Sequence, residues 1–285
     1  MEIPLDEIRK VAERALAEDA GPGDITTEAL IPPGSSSRAV IIAKESGVIA
    51  GLPAAEEVFR LLDRSIKFNQ KVREGSVISS GQAAAEISGC TRAILTGERA
   101  ALNIIGRLCG IATAARAFSA KTARYGVKIM DTRKTVPGLR MLEKYAVSAG
   151  GGCNHRMGLY DAVLIKDNHI QAAAGSIRDM VETARKKTGA GVRIEVEASD
   201  LAELEDALGG NPDIILLDNM APSMVRDAVC MAREKSPSVL LEVSGNITLE
   251  NVEEYASCGP DMISVGALTH SVKNFDFSLK MDIEI

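Results

Sequence analysis

The sequence predicts an α/β protein in which a mixed α/β layer precedes an incomplete β/α barrel. After about residue 110, six short apolar runs alternate with segments of helical pattern, which is typical of parallel strands covered on both faces. Each run ends in a polar, charged or glycine residue, as expected where the carboxyl ends of barrel strands meet at one face. The remaining length leaves room for six or seven strands, so we expect an atypical barrel.

The composition fits a globular protein with a sizeable core, since 46% of the 285 residues are hydrophobic. No run approaches the ~18 apolar residues that a membrane span requires, and the charged N-terminus lacks the apolar core of a signal peptide. We therefore expect a cytoplasmic protein without a membrane partner. The net charge of −6 also makes a nucleic-acid partner unexpected.

The first third of the chain shows helical and strand patterns in turn. Apolar residues at helical spacing predict a helix over 5–19, and the segment 21–27 interrupts it with two glycines and a proline. Short β-like runs follow at 39–44, 47–52 and 83–89, with a helical stretch at 53–64. These elements make up the predicted α/β layer.

The segment 92–108 predicts one long helix, and its apolar pattern is interrupted in the middle by Glu98 and Arg99. A long charged side chain in such a helix is expected to contact a polar or charged group. Arg99 could form an ion pair within its own chain, for instance with Glu98, or reach a group elsewhere. The residues alone leave both readings open.

The barrel strands are predicted from six apolar runs, at 127–131, 162–167, 192–197, 213–218, 239–244 and 262–266. Helical segments separate them at 137–149, 176–188, 200–209, 222–235 and 248–257. The run ends supply the candidate site residues: Asp131 followed by Arg133 and Lys134, then Lys166, Glu197, Asp218, Ser244 and Gly266. A closed or nearly closed barrel brings all six ends to one face, whereas an open doubly wound sheet uses them only at its switch point.

The segment from Asp131 to Lys166 contains six basic and three acidic side chains, a local charge of +3 on a chain whose total is −6. Such a positive island predicts a focused anion site. Arg133 offers a planar fork for a carboxylate or phosphate, and Lys134 offers a point charge. The alternative is that the two side chains are simply solvated. The position of Arg133 and Lys134 at a strand end favours a functional role.

Three consecutive glycines at 150–152 precede His155 and Arg156. Glycines in a row are useful where the backbone approaches a ligand closely or where a loop rearranges. We therefore interpret His155 and Arg156 as ligand contacts, although His155 alone could be a structural histidine. His169 is left open between the two roles.

Two carboxylates, Glu197 and Asp218, end successive strands within this cationic surrounding. They could accept hydrogen bonds from sugar hydroxyls or hold Mg²⁺ beside phosphate groups, and simple charge balance is the alternative. The segments 244–246 and 265–270 predict tight loops whose backbone N–H groups cradle a phosphate.

A family resemblance becomes visible once these motifs are taken together. In order and wording they are EDAGPGDITT, ERAALNIIGRLCGIAT, DTRKTVPGLRMLEKYAV, GGGCNHRMGLYDAVLIKDNHI, EVE, LLDNM, LEVSGNITLENV and ISVGALTHS. They closely resemble the quinolinate phosphoribosyltransferases, from about residue 18 to about residue 280. The resemblance implies an N-terminal α/β sandwich at 1–109, joined by the tail 272–285, and an incomplete six- or seven-stranded α/β barrel at 110–271.

The resemblance also implies a role for each matching residue. The pocket for the two carboxylates of quinolinate is lined by Arg133, His155, Arg156 and Lys166, with Lys134 close by. The ribose and a Mg²⁺ ion are faced by Glu197 and Asp218, and the 5-phosphate of phosphoribosyl pyrophosphate by Ser244, Gly245 and Gly266. The catalytic set is Lys134, Lys166, Glu197 and Asp218. Arg99 would enter from the partner subunit of a homodimer, which could assemble further into a hexamer.

The implied activity converts quinolinate and phosphoribosyl pyrophosphate into nicotinate mononucleotide, pyrophosphate and CO₂, a step of NAD synthesis. Three positions depart from the usual family pattern, namely Asn246 in the phosphate loop, Cys109 and Pro260. Two alternatives remain: a sister group associated with molybdate transport, and a non-catalytic anion-binding barrel. The complete set of charged pocket residues favours quinolinate.

Overall fold

The computed structural model describes residues 3–173, 175–189 and 191–282. The chain divides into two compact units. The first comprises Met1–Arg116, Thr135–Gly151 and Leu268–Ile285, and the second comprises Ala117–Lys134 and Gly152–Ala267. Within the described part of the chain, no helix is both long and apolar enough to cross a membrane.

The elements up to residue 122 are α1 (Leu5–Asp19), α2 (Ile25–Leu30), β1 (Ser36–Ala43), β2 (Gly47–Val48), α3 (Leu52–Leu62), β3 (Lys67–Gln70), β4 (Val77–Ile78), β5 (Ala83–Cys90) and α4 (Thr91–Thr122). The rest are β6 (Lys128–Met130), α5 (Arg140–Ala149), β7 (Val163–Ile165), α6 (Asp167–Ala172), α7 (Ile177–Thr188), β8 (Ile194–Ala198), α8 (Leu201–Gly209), β9 (Ile214–Asp218), α9 (Pro222–Lys235), β10 (Leu240–Ser244), α10 (Val252–Ala256), β11 (Met262–Ser264), α11 (Ala267–His270) and β12 (Phe277–Asp282).

The first unit is built on an antiparallel sheet of order β12-β1-β5-β3. The last strand of the chain therefore pairs with the first, along the edge of β1 opposite to β5. Apolar side chains from the sheet, α3 and α4 form one core, in which Ile41, Phe59, Ile87 and Ile105 are fully or almost fully buried. A separate two-stranded sheet joins β2 and β4.

The second unit is built on six parallel strands in the order β6-β11-β10-β9-β8-β7. On the free side of β6, Met130 forms a parallel bridge with Cys153. Among the described residues, no ladder joins Cys153 to β7, so the ring of strands is not closed there. This six-stranded arrangement confirms the predicted incomplete α/β barrel.

Strand register determines which side chains share a face of this sheet. Glu197 of β8 and Glu242 of β10 both lie opposite Leu216 of β9, and Ser244 lies opposite Asp218. Because side chains alternate between the two faces of a strand, these polar residues fall on the same face. Glu195, two positions before Glu197, belongs to that face as well.

Two of the repeats, α7–β8 and α9–β10, share the same contact at the amino ends of their strands. Asp213 accepts hydrogen bonds from Arg185 and from the backbone N–H of Ile194. At α9 and β10, Asp261 likewise accepts hydrogen bonds from Arg233 and from the backbone N–H of Leu241. Each aspartate thus ties a helix, α7 or α9, to the start of the strand that follows that helix. These contacts lie at the end of the barrel that usually serves stability.

The structure differs from the sequence prediction at several element boundaries. The run 47–52 is a strand only over Gly47–Val48, because Gly51 turns the chain at a positive φ of 95° and α3 begins at Leu52. Glu74 fixes this start by accepting the N–H groups of Gly51 and Leu52. The helix predicted from 137 begins only at Arg140, because Gly138 has a φ of 81°.

The predicted domain boundary falls within one long helix. Helix α4 extends to Thr122, beyond the predicted end at 108, and therefore runs through the boundary placed at residues 109 and 110. That boundary stays a prediction. Six short elements were not predicted: α2, β3, β4, α6, α11 and β12. Helix α2 begins at a cap in which the Asp24 carboxylate accepts the backbone N–H of Thr27.

Candidate active site

Ten of the eleven candidate residues lie in the second unit, at or just after the carboxyl ends of its strands or in the loop that precedes β7. They are Arg133, Lys134, His155, Arg156, Lys166, Glu197, Asp218, Ser244, Gly245 and Gly266. Arg99 lies in the first unit. The parallel topology therefore gathers the ten residues at one end of the sheet, as the sequence predicted.

The loop after β6 is anchored by Asp131, whose side chain is fully buried. Its carboxylate accepts hydrogen bonds from the side-chain amide of Asn154 at 2.6 Å and from the backbone N–H of His155 at 2.8 Å. Its own backbone N–H donates to the carbonyl of Cys153. Asp131 thereby holds together the two segments that carry Arg133 and Arg156.

Arg133 and Arg156 are half-buried, and in each of them the buried Nε–H has no hydrogen-bond partner among the described residues. Arg156 is fixed by a 2.9 Å hydrogen bond from Nη1 to the carbonyl of Ala162. Burial, and next the charge of Arg133, lower the pKa of Arg156, while Glu195 opposes that change. Two neighbouring guanidinium groups with spare donors are suited to an anion with more than one charge.

Lys166 and Glu197 form a direct ion pair between the ends of β7 and β8. The second carboxylate oxygen of Glu197 accepts the backbone N–H of Asp167 at 3.2 Å. Both oxygens of Glu197 are therefore engaged. Lys134, by contrast, is exposed at the strand end.

Asp218 ends β9 and retains one oxygen that accepts no hydrogen bond from the described residues. Its other oxygen accepts from the side chain of Asn219 at 2.7 Å. Asp218 is therefore better placed than Glu197 to offer a carboxylate oxygen to a hard cation such as Mg²⁺. Glu197 would first have to release Lys166.

The loop after β10 holds Ser244, Gly245 and Asn246. Gly245 has a φ of 102°, and a Cβ at this position would lie 2.1 Å from an oxygen of Asn219. Asn246 has a φ of 51°, and asparagine tolerates this left-handed conformation better than most residues. The loop therefore keeps a glycine-like backbone at Asn246, whose side chain donates to Asn219 at 3.2 Å.

Gly266 lies two residues after the end of β11 and is half-buried. The strand end is tied to the neighbouring strand because the N–H of Val265 donates to the carbonyl of Met130. Gly266 thus lies at the end of the strand adjacent to β10, where the second phosphate-binding loop was predicted.

His155 contacts protein groups through both ring nitrogens. Its Nδ1 accepts the backbone N–H of Arg156 at 2.8 Å, and its Nε2 lies 2.9 Å from a carboxylate oxygen of Glu195. Glu242 is also close, with an oxygen 3.9 Å from Nε2. This geometry gives His155 a role in holding its own loop, and its contact with a substrate carboxylate stays a prediction.

His169, left open by the sequence, lies in helix α6 just after Lys166. Its Nδ1 accepts the backbone N–H of Lys166 at 2.9 Å. It also lines an open cleft of about 330 Å³ together with Arg156, Tyr160 and Leu164. Apart from Arg156, none of the ten candidate residues of the strand ends lines this cleft.

Arg99 is exposed in α4, and its side chain forms no hydrogen bond or ion pair with any residue that the structure describes. The ion pair with Glu98 considered from the sequence is therefore absent within residues 3–173, 175–189 and 191–282. The guanidinium remains available to a group outside this chain.

Sequence reasoning missed two buried carboxylates, Glu195 and Glu242, that contact the site from within the sheet. The signal was present in the strand patterns, since each is an acidic residue two positions before a strand-end residue. Burial could not be read from the sequence, and both runs were interpreted as apolar with a single functional end.

Two family models match almost the whole chain. The C-terminal domain of quinolinate phosphoribosyl transferase matches residues 111–280, and its N-terminal domain matches residues 24–109. The chain belongs to the quinolinate phosphoribosyl transferase family. The charged strand ends described above are therefore those of a quinolinate phosphoribosyl transferase fold.

Curated relatives of this family are similar over nearly their full length. The probable nicotinate-nucleotide pyrophosphorylase (carboxylating) of Bacillus subtilis (strain 168) is 42% identical over 97% of this chain and 94% of its own. The nicotinate-nucleotide pyrophosphorylase (carboxylating) of Mycobacterium leprae (strain TN) is 42% identical over 97% and 98%. The solved nicotinate-nucleotide pyrophosphorylase of Francisella tularensis superposes with a TM-score of 0.93 at 38% identity, covering 99% of this chain and 98% of its own.

Proposed function

We propose that this chain transfers the phosphoribosyl group of phosphoribosyl pyrophosphate to quinolinate and releases pyrophosphate, CO₂ and nicotinate mononucleotide. The observation that carries the proposal is the pair of half-buried guanidinium groups, Arg133 and Arg156, at one end of the sheet. The Nε–H of each has no hydrogen-bond partner among the described residues. Family membership supports it, because the similar relatives are nicotinate-nucleotide pyrophosphorylases (carboxylating).

Binding of the two substrates is mainly an electrostatic task. Quinolinate carries two adjacent carboxylates, and Arg133 and Arg156 each offer the donors that a carboxylate accepts. Lys134 adds a positive charge at the same strand end. The loops at Ser244–Gly245 and at Gly266 offer backbone N–H groups to the 5-phosphate. Cations at one end of the barrel thereby allow two anions to lie side by side.

The transfer step needs little covalent chemistry from the protein. The pyridine nitrogen attacks C1 of the ribose while the bond to pyrophosphate breaks, and positive charge develops on the ribose. Glu197 and Asp218 lie at neighbouring strand ends, where carboxylates stabilise that charge or accept ribose hydroxyls. Lys166 is held by Glu197 and becomes available to an anionic group if the substrate displaces the pair.

The carboxylate donor set at this end of the sheet suits Mg²⁺. When bound, Mg²⁺ supplies neutralisation of the pyrophosphate leaving group. Asp218 would hold it through its unengaged oxygen, with the remaining ligands from substrate and water. The same end of the barrel then carries cations for quinolinate and a carboxylate for the metal.

Loss of CO₂ follows from the quaternary ring nitrogen of the product-like intermediate. The positive nitrogen stabilises the electron pair left on C2 when the C2–CO₂ bond breaks, and a proton then takes the place of CO₂ at C2. Arg133 and Arg156 hold the carboxylates in place until that bond breaks.

The assembly that we propose is a homodimer with shared sites, which could associate further into a hexamer. Arg99, whose exposed side chain has no partner among the described residues, would complete the anion site of the partner subunit. We also propose a cytoplasmic location, and the relevant substrates are soluble anions.

The test of the proposal is product stoichiometry with purified protein. Incubation with quinolinate, phosphoribosyl pyrophosphate and Mg²⁺ should yield nicotinate mononucleotide, pyrophosphate and CO₂ in equal amounts. Consumption of phosphoribosyl pyrophosphate without CO₂ release, or no reaction at all, would contradict the proposed function.

A further inference from the structure

Three buried or half-buried side chains meet inside the second unit, beneath the anion site. Glu195 and Glu242 are only 3% and 1% exposed, and His155 lies against both of them. The Glu195 oxygen not facing His155 and both Glu242 oxygens have no hydrogen-bond partner among the described residues. Two members of this cluster, Glu195 and Glu242, have no role in the proposed reaction.

One histidine and two carboxylates resemble a metal-ligand set, and their ligand atoms lie within 4.8 Å of one another. The hydrogen bonds of the ring argue against that use. The backbone N–H of Arg156 is always a donor, so the Nδ1 that faces it at 2.8 Å must be an acceptor. The proton of the neutral ring then lies on Nε2, which has no lone pair for a metal, whereas metal-bound histidines usually donate through their second nitrogen.

We propose that Glu195 is a positioning residue that fixes the ring of His155, and with it the backbone of Arg156, by accepting the Nε2–H of His155. In this orientation Nδ1 accepts the Arg156 N–H, and Asp131 holds the other side of the same segment through Asn154 and the N–H of His155. The inference rests on the proposed function only in assigning a substrate carboxylate to Arg156.

Glu242 supports this arrangement. Burial, and next the charge of Glu195, raise the pKa of Glu242, while His155 and Ser264 act in the opposite direction and Asp131 raises it further. At 3.9 Å from Nε2, the Glu242 oxygen lies beyond hydrogen-bond distance and does not compete for the ring proton of His155. Glu195, with an oxygen 2.9 Å from Nε2, is the acceptor of that proton, and it also favours the charged form of Arg156.

The first test needs no substrate. The chain has three histidines, so ¹⁵N imidazole spectra of the purified full-length protein should show three assignable rings, with His155 identified by its absence in a His155→Gln variant. We expect His155 to be neutral at pH 7.5 with its proton on Nε2. A ring protonated on Nδ1, or on both nitrogens, would overturn the proposal whatever the enzyme does with quinolinate.

The second test compares two replacements of Glu195. Glu195→Gln keeps an acceptor and should retain the Nε2–H tautomer with the KM for quinolinate within about threefold of wild type. Glu195→Leu keeps the volume but removes the acceptor, and should raise that KM about tenfold, as expected for the loss of a buried hydrogen bond. The KM for phosphoribosyl pyrophosphate should change little, and Glu205→Gln, at an exposed glutamate, is the matched control.

Several outcomes of these tests contradict the inference. A Leu variant that folds with wild-type tautomer and KM would do so, as would a Gln variant as impaired as the Leu variant. Stoichiometric metal in the purified protein that is lost in Glu242→Gln would replace the inference by a metal site. If Glu195→Leu does not fold, the wild-type imidazole spectrum and the Glu195→Gln variant test the positioning role. Wild-type protein that is inactive with quinolinate would refute the proposed function and leave the positioning role to the spectrum.

Discussion

The side-chain amide of Asn154 donates a 2.6 Å hydrogen bond to the fully buried carboxylate of Asp131. The same carboxylate accepts the N–H of His155, so one side chain after β6 determines where the next loop begins. Because Arg133 follows Asp131 in the chain and Arg156 follows His155, this contact sets the separation of the two guanidinium groups.

Asp131→Asn should therefore damage both stability and substrate binding. The Asn side chain has one acceptor oxygen and one NH₂ donor, so it places a donor opposite one of the two N–H groups that Asp131 accepts. We therefore expect a loss of about 2 kcal/mol in the free energy of unfolding. The KM for quinolinate should rise as well. Urea unfolding and steady-state kinetics check this. The matched control is Asp213→Asn at the opposite end of the barrel, which should lower stability and leave the KM unchanged. A normal KM in Asp131→Asn would contradict the positioning role.

Replacing either Arg156 or Lys166 by Ala should weaken quinolinate binding while the protein stays folded. A charge-assisted contact contributes roughly 1.5–3 kcal/mol, so affinity should fall about ten- to a hundredfold. Calorimetric titration measures this directly. Arg124→Ala and Lys186→Ala, at exposed cations, serve as controls and should bind normally. Wild-type affinity in both site variants would rule out the anion site described here.

Glu242→Gln should stabilise the protein at high pH and not at low pH. The pKa of Glu242 is raised from 4.5 to about 7 by burial, so ionising it above about pH 7 opposes folding. Between about pH 4.5 and 7 the unfolded state releases this proton while the folded state keeps it, so the free energy of unfolding of the wild type falls over this range. The variant has no group that ionises here, so its free energy of unfolding does not fall for this reason. We expect a gain on the order of 1–3 kcal/mol at pH 8 and none at pH 4.5, measured by urea unfolding. A gain that is equal at both pH values would contradict the assignment, and Glu205→Gln is the control.

The predicted trans role of Arg99 can be tested by mixing two inactive variants, Arg99→Ala and Lys166→Ala. In a two-fold dimer with shared sites, each heterodimer has one site with both lesions and one with neither. Random re-association of equal amounts should then restore about a quarter of wild-type sites. Verified subunit exchange without recovered activity would show that Arg99 does not act across the interface.

Much of the barrel was predictable from sequence because parallel strands buried on both faces leave a plain signature. All six apolar runs after residue 110 are strands, and the polar residues at their ends lie at one end of the sheet. Helix α9 begins and ends where its pattern predicted. These features are local in sequence, and elementary topology supplies the rest.

The remaining features depend on contacts between distant residues. The turn at Gly51 is fixed by Glu74, which lies more than twenty residues away, so the run 47–52 could not be divided correctly from its own composition. The burial of Glu195 and Glu242 follows from strand register, which a single sequence does not reveal. The contacts of both ring nitrogens of His155 with protein groups also join separate parts of the barrel, and the sequence alone did not reveal them.

The central claim is that this site recognises a dianion through Arg133 and Arg156, and one kinetic comparison tests it most directly. Nicotinate lacks the C2 carboxylate, so it leaves part of this cationic surrounding uncompensated. With phosphoribosyl pyrophosphate and Mg²⁺ saturating, the kcat/KM for quinolinate should exceed that for nicotinate by a factor of at least about a thousand, the loss expected when buried charged groups go unpaired. Comparable kcat/KM values for the two acids would contradict the claim.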